Sequence, residues 1–595
     1  MTASWNLSIA YQSLSDDKIA QDIELIQQCI EVLKLHVERR DLASVTQNAI
    51  QTREAAGKLL ATINTFAQCH ASVDATNGEA KSLIGKLAKL SSELSQAYTP
   101  YQDILANADL EFIQQVLDHE SGDVYGQAFA IACDRKVAAT KLAVQEEQLL
   151  AAMSVDGRDA WGRMYDNITG SLQIKLDDGT ELGFSQAASI LYGVEFDKQE
   201  QVWRGIQNAM SENQHAFAAI LNALAGWRLT EYEKRSNLVD VHFLDPSLHD
   251  SRIEQPTLTA MMDTAKANRD VGQKAGLLMA KVHGLKEMKP WNHLAGMPNL
   301  LQDQATVEYS FDDAIEVIKQ AFATVDSEMA EFVQTMVDNG WIDADPTPNR
   351  RLGAYCTKFA ATRTPLVFMT WGGSRSDLMT LAHELGHAFH NWVMRDMPLC
   401  QTRYPMTLAE TASIFAENIV RDYLLEKAKT REEKLEMLWE ELSSAYALMI
   451  NIPVRFEFEK RFYRQRSEGE LDPSQLCELM SETWQEWYGD SMQETDPYFW
   501  ASKLHFSISQ VSFYNYPYLF GFLFSKGVYA QRAEKGDSFY PDYVALLRDT
   551  GSMMAEDVVE RHLGMDLSKA DFWQQSIDMV AEKVSHFEAL LAQPS

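Results

Sequence analysis

Apolar residues spaced three and four apart run through most of this 595-residue chain, and a chain so patterned must bury one face of each helix against another helix. Between residues 19 and 35 the set is Ile23, Ile26, Ile30 and Leu33; residues 59–66 and 83–94 repeat the style. Glycine and proline are rare from residue 16 to about 150, so few breaks are expected there. No fixed internal period recurs, which argues against a solenoid. The length favours several domains or one large multi-lobed body. A hydrophobic fraction of 46% supplies an extensive core and excludes wholesale disorder. The expectation is a mostly α fold.

Two interruptions break the rhythm. Residues 171–176 alternate apolar Leu172, Ile174 and Leu176 with polar residues, and Asp177-Asp178-Gly179-Thr180 follows. Asp-Gly tolerates the positive φ of hairpin turns, so residues 171–184 read as a β-hairpin. A junction is expected between about 190 and 205, where helical patterning resumes at Asp197. The organisation expected is a helical region over 1–110, a helical region with the hairpin over 111–195, and a third domain over 196–595. The second interruption is residues 351–375. Leu366, Val367, Phe368, Met369, Thr370 and Trp371 favour a strand, and Gly372-Gly373 ends it. Ser374 or Ser376 then caps a helix over 377–394, with Asp377 in its first turn.

That helix carries the sequence His383-Glu384-Leu385-Gly386-His387. Histidines four apart share one helix face. Both imidazoles can therefore bind one zinc ion at ~2.0–2.1 Å without distorting the backbone. Zinc acidifies water, and a carboxylate beside it can take the proton and hand it on to a leaving amine, which is the part open to Glu384. Gly386 has no side chain, which lets another element pack close. The bland alternative is a surface helix with two solvated histidines. Leu381, Ala382, Leu385, Ala388 and Phe389 weigh against it, because buried histidines and a glutamate need a compensating partner.

A catalytic zinc site wants a third protein ligand and one open position. His390 would require one short helix to supply three ligands. The metzincin pattern needs glycine at 390 and histidine at 393, where this chain has His390 and Val393. Asp396, near the helix end, reads as a solvated charge. Glu410 and Glu417 fall seven apart on a helix expected over 408–426, hence on one face. Spacing favours Glu410 as the ligand, with Glu417 orienting a histidine. The alternatives stay open: Glu410 could close a capping box on Thr407, and Glu417 could pair with Arg421.

Other classes recede. The two-carboxylate pattern of a glycosidase and the GxxxxGK[ST] loop are absent. A formal charge of -32 argues against nucleic acid or an anionic membrane as the main partner. That charge also suits the attraction of cationic peptides, or solubility alone. Cys29, Cys69, Cys133, Cys356, Cys400 and Cys477 are scattered without CxxC spacing, which reads as reduced thiols in a cytoplasmic protein. Neither a secretory leader nor a membrane-length apolar run is recognisable.

The stretches DLMTLAHELGHAFH and LAETASIFAENIVRDYLL resemble the zinc peptidases of the thimet oligopeptidase and oligoendopeptidase F family. Gly353-Ala354-Tyr355-Cys356 and the strand after it match the same pattern, and the order and length of the rest are similar to oligoendopeptidase F. The resemblance implies a two-lobed helical metallopeptidase enclosing a deep substrate channel, with a small β-sheet beside the zinc helix and residues 196–595 as the catalytic domain. It implies one zinc ion per chain, held by His383, His387 and Glu410, with Glu384 as catalytic base and Glu417 and Asp377 as supports. It implies endopeptidase cleavage of short peptides, which would lie along residues 366–371 as an edge strand. Gly353, Ala354, Tyr355, Phe368 and Met369 would contact them. A buried structural strand is the alternative. His505, Tyr514 and Tyr518 resemble the family's oxyanion-stabilising segment, though the glycine-rich stretch of the thimet branch is missing; an aromatic packing cluster is the alternative. The rivals from other classes are a zinc exopeptidase and a non-catalytic helical scaffold that keeps zinc for stability. Cleavage preference and oligomeric state are not legible.

Overall fold

The first helix realises the pattern directly. Asp16 caps α1 (Asp17–His36) by accepting from the Lys18 amide, and Ile19, Ile23, Ile26, Ile30 and Leu33 form its buried stripe. The stripe packs against α2 (Ala43–Val73) and α3 (Gly78–Asn107). Tyr101 ties the group together by donating its hydroxyl to the Leu33 carbonyl at 2.7 Å. The computed structural model describes residues 3–236, 239–298 and 308–593.

The fold is mostly α, with two small sheets among the described residues. The expected hairpin forms from β1 (Gln173–Lys175) and β2 (Glu181–Gly183), antiparallel, with Ile174 opposite Leu182. Gly179 takes the positive φ of the turn, at +86°. The Asp178 carboxylate accepts the Thr180 amide at 2.8 Å.

The second sheet has three strands: β3 (Ile342–Asp343), β4 (Tyr355–Phe359) and β5 (Thr364–Phe368), in the order β3-β5-β4. β5 runs parallel to β3 and antiparallel to β4. This corrects the edge-strand expectation for residues 366–371. β5 is central and every residue in it is buried. Beyond it, Met369 and Trp371 still donate to the carbonyls of Asp343 and Ala344, both at 2.9 Å. The reason lies in the residues: Leu-Val-Phe-Met is a continuous apolar run, which suits a strand covered on both faces. β4 is the outer strand, and its first four residues are half-buried.

The chain divides into two compact units, each assembled from three segments. One unit combines residues 1–138, 305–424 and 531–565 and contains the three-stranded sheet. The other combines residues 139–304, 425–530 and 566–595. Its centre is the helix Arg431–Tyr446, packed on Arg269–Val282 and Ala570–Leu591. All six cysteines are free thiols. No described helix is long and apolar enough to cross a membrane.

Candidate active site

The motif helix α4 (Arg375–Val393) starts at a reciprocal cap. Of the two candidate serines it is Ser374 that caps: its hydroxyl accepts the Asp377 amide at 3.1 Å, while the Asp377 carboxylate accepts the amides of Ser374 and Gly372 at 2.9 and 3.1 Å. Asp377 thus holds the helix start, six residues ahead of His383. Leu378, Leu381, Ala382, Leu385 and Phe389 bury one face of α4, which packs against β4 and β5.

The anticipated close approach at Gly386 is present. A methyl group there would lie 2.4 Å from the Ala412 carbonyl oxygen and 2.6 Å from the Ser413 Cα. The start of α5 (Thr411–Lys427) therefore rests directly on the α4 backbone, between the two motif histidines. The single helix expected over 408–426 is broken. A short turn, Met406–Ala409, precedes α5, and Glu410 sits at the step between them with φ -86° and ψ 2°. Pro405 rather than Thr407 starts that turn, so the capping-box alternative for Glu410 is not realised.

The step turns the Glu410 carboxylate toward the histidines. Its Oε2 lies 3.4 Å from His383 Nε2 and 3.5 Å from His387 Nε2. The three donor atoms lie within 4.8 Å of one another. A tetrahedral ion with bonds of ~2.0–2.1 Å spaces its donors roughly 3.3–3.4 Å apart, so the set fits a single zinc-sized cation. The Ser413 hydroxyl donates to Glu410 Oε2 at 2.6 Å and fixes it. Glu417 lies behind His383: its Oε1 is 2.6 Å from His383 Nδ1, and its Oε2 is 3.3 Å from Arg421. The ion pair and the histidine-orienting contact thus coexist. A carboxylate on Nδ1–H leaves the Nε2 lone pair free toward Glu410.

Glu384 is buried at 6% exposure, and its Oε2 has no protein hydrogen-bond partner among the described residues. A buried carboxylate oxygen without a partner is the kind of atom that a bound water or substrate proton satisfies. From the protein groups alone, burial pushes Glu384 up to about 7; Glu410 and Glu417 add to this and His383 opposes it. Burial works against the charged form of His383, but the Glu417 hydrogen bond and the surrounding carboxylates outweigh it and raise the group to about 9. Burial takes His387 down to about 4 despite Glu410.

The other candidates are placed as follows. His390 is fully buried, with Nε2 2.8 Å from the Thr550 hydroxyl and 3.1 Å from the Leu547 carbonyl, a packing position. Asp396 is the solvated charge that was expected, exposed and paired with Arg548 at 2.5 Å. Phe368 and Met369 are buried in the sheet. Gly353 and Ala354 lead into β4, and the Tyr355 hydroxyl donates to Ser72 Oγ at 2.7 Å.

In the other unit, the rings of His505, Tyr514 and Tyr518 form a triangle with centroids 6.0–6.4 Å apart. All three are partly exposed, whereas Tyr516 is buried and bonded to Ser247 and Ser251. Burial pushes His505 down to about 4, leaving it neutral near pH 7. Sequence reasoning missed Phe513, which precedes Tyr514 with φ +55° and donates its amide to Glu459 at 2.9 Å. A bulky residue in the left-handed region costs energy and recurs where a neighbouring side chain must be aimed. Glycine or asparagine would have signalled that conformation; phenylalanine does not.

A mostly helical chain with two histidines one turn apart, an intervening glutamate and a carboxylate at donor distance from both has the fold and site of a metallopeptidase. It belongs to peptidase family M3, whose model matches residues 195–579. Oligopeptidase PepF of Bacillus subtilis (strain 168) is 22% identical over 606 residues, spanning 99% of this chain and 87% of that protein. The chromosomal oligoendopeptidase F of Lactococcus lactis subsp. cremoris is 24% identical over 318 residues, which is 53% of this chain and 51% of that protein. Two crystal structures share the fold. A candidate peptidase from Chlamydophila abortus has a TM-score of 0.87 at 18% identity, covering 99% of this chain and 98% of that one. Oligoendopeptidase-F from Enterococcus faecium has a TM-score of 0.68 at 17% identity, covering 97% and 98%.

Proposed function

We propose that the chain is a zinc-dependent oligoendopeptidase that cleaves internal bonds of short peptides, with Glu384 as the proton carrier. The observation that carries this reading is the spacing of His383 Nε2, His387 Nε2 and Glu410 Oε2, with 3.4 and 3.5 Å separating the carboxylate from the two rings. These three residues hold one zinc ion per chain. When bound, the ion polarises the scissile carbonyl and acidifies the attacking water.

The chain's own residues do the rest. Glu417 holds the His383 ring, and Ser413 holds Glu410. Glu384 takes a proton from the attacking water and returns it to the departing nitrogen; its buried Oε2, with no protein partner among the described residues, is free to do both. His505, neutral, with Tyr514 or Tyr518, donates to the developing oxyanion. The peptide backbone adds along the outer flank of β4, beside Gly353, Ala354 and Tyr355, since β5 is paired on both sides.

The test is hydrolysis of an internally quenched peptide of about ten residues, blocked at both ends, a length set by the reach of an extended strand. Internal cleavage that is lost on chelation and restored by zinc is the expected outcome. Turnover that survives complete metal removal would overturn the reading. A demand for a free terminus would shift it to exopeptidase action.

A further inference from the structure

The unit that carries His505 also contains a cavity of about 200 Å³ lined by Arg455, Lys503, His293, His505 and Tyr518 among others, with no aspartate or glutamate among the described residues of its wall. In a chain of 85 acidic and 53 basic residues this is a local reversal of sign. The two cations share one ring: the Arg455 guanidinium lies 5.2 Å and the Lys503 ammonium 4.9 Å from the Phe499 centroid. Neither forms an ion pair among the described residues. The Nε of Arg455 donates to Asn451 Oδ1 at 2.8 Å, which aims the guanidinium; Asn451 is itself held by donating to the Tyr488 hydroxyl at 2.9 Å. Asn451 closes a π-helical turn, Ala447–Asn451, a widening that recurs at binding sites. The acid that acts on Lys503 from outside the wall, Asp496, is occupied by Trp203 Nε1 and Gln207 Nε2 at 3.0 and 2.9 Å, and burial raises its carboxyl.

Arg455 and Lys503 are both half-buried and neither is ion-paired among the described residues, so an anion bound between them gains charge-assisted hydrogen bonds from both. We propose that this cavity binds a carboxylate of the peptide substrate, either its free C-terminus or an Asp or Glu side chain, next to His505. The proposal rests on the reading of the chain as a peptidase and names a substrate feature that the reading leaves open. Burial and Arg455 lower Lys503 to about 8, so it still carries its proton at neutral pH. His293 is pushed down to about 4 by burial, and its Nδ1 donates to the Pro290 carbonyl at 2.8 Å, so the neutral ring has no N–H left for the anion, which falls to Arg455 and Lys503.

The experiment compares one quenched peptide in three forms: neutral and end-blocked, free at the C-terminus, and carrying Glu for Gln at each position after the cleaved bond. Wild type is expected to favour one acidic form over its neutral counterpart by roughly ten-fold or more in kcat/KM, expressed mainly in KM, the effect of charge-assisted hydrogen bonds. Which form wins identifies the source of the carboxylate. Lys503→Gln is expected to bring the ratio close to one, and Arg455→Lys to keep part of it. Equal rates for acidic and neutral forms in wild type, or a preference that survives Lys503→Gln, would overturn the proposal. Should the variants fail to fold, inhibition of wild type by an N-acetyl dipeptide acid but not by its amide decides the same question. If wild type cleaves none of the peptides, the proposed function falls. Titrating Glu384→Gln protein with that acid and amide then tests the cavity separately.

Discussion

Replacing Gly386 by alanine sets two effects against each other. Alanine in a helix interior is favoured over glycine by about 1 kcal/mol. Against this, the new methyl would sit 2.4 Å from the Ala412 carbonyl oxygen and 2.6 Å from the Ser413 Cα, both backbone atoms that cannot rotate away. Reaching ordinary contact requires the start of α5 to retreat by roughly 1 Å, and overpacking of this kind costs about 1–3 kcal/mol. The retreating segment adjoins Glu410, and metal donors tolerate displacements of only about 0.2 Å. Gly386→Ala should therefore lose stability by roughly 1 kcal/mol net in urea unfolding of the metal-free protein. In competition with a chromophoric chelator it should bind zinc at least about ten-fold more weakly. A variant as stable as wild type and equal to it in zinc affinity would refute the close-packing argument, because helix propensity would then have prevailed without cost to the donor set.

Three further outcomes are expected. Glu417→Ala removes the carboxylate 2.6 Å from His383 Nδ1 and should weaken zinc binding by about 10–100-fold, read by the same competition. Glu410→Ala should reduce bound zinc well below one per chain in elemental analysis after dialysis, since two histidines alone leave the ion under-coordinated. His390 supplies a pH dependence: burial lowers it to about 3, against ~6.5 in an unfolded chain. Its contribution is fully present above pH ~6.5 and is lost as pH falls toward 3, at up to about 1.4 kcal/mol per pH unit; His390→Gln should flatten that part of a urea-midpoint profile between pH 7 and 4.

What was legible in the sequence was what local spacing encodes. The buried stripe of α1, the Asp-Gly turn at Gly179 and the capped helix bearing His383 and His387 all follow from residues within one or two turns of each other. Long-range pairing was less legible. A strand was rightly expected here, but it runs Thr364–Phe368 rather than over 366–371, and its neighbours come from residues 342–343 and 355–359, whose pairing makes it central. Glu410 and Glu417 would share one face of an uninterrupted helix, and the break at Glu410, just ahead of the residues that pack on Gly386, carries no glycine or proline that could have signalled it. The basic cavity gave no signal, because His293, Arg455 and Lys503 come from three distant segments.

The central claim is that one glutamate moves the proton while three neighbouring residues hold the metal. The most direct measurement is hydrolysis of the end-blocked quenched peptide by wild type and by Glu384→Gln, with zinc content determined on the same samples. Wild type should cleave internally with about one zinc per chain, and the variant should keep its zinc while losing at least about 100-fold in kcat. A zinc-loaded variant that cleaves at the wild-type rate would contradict the account.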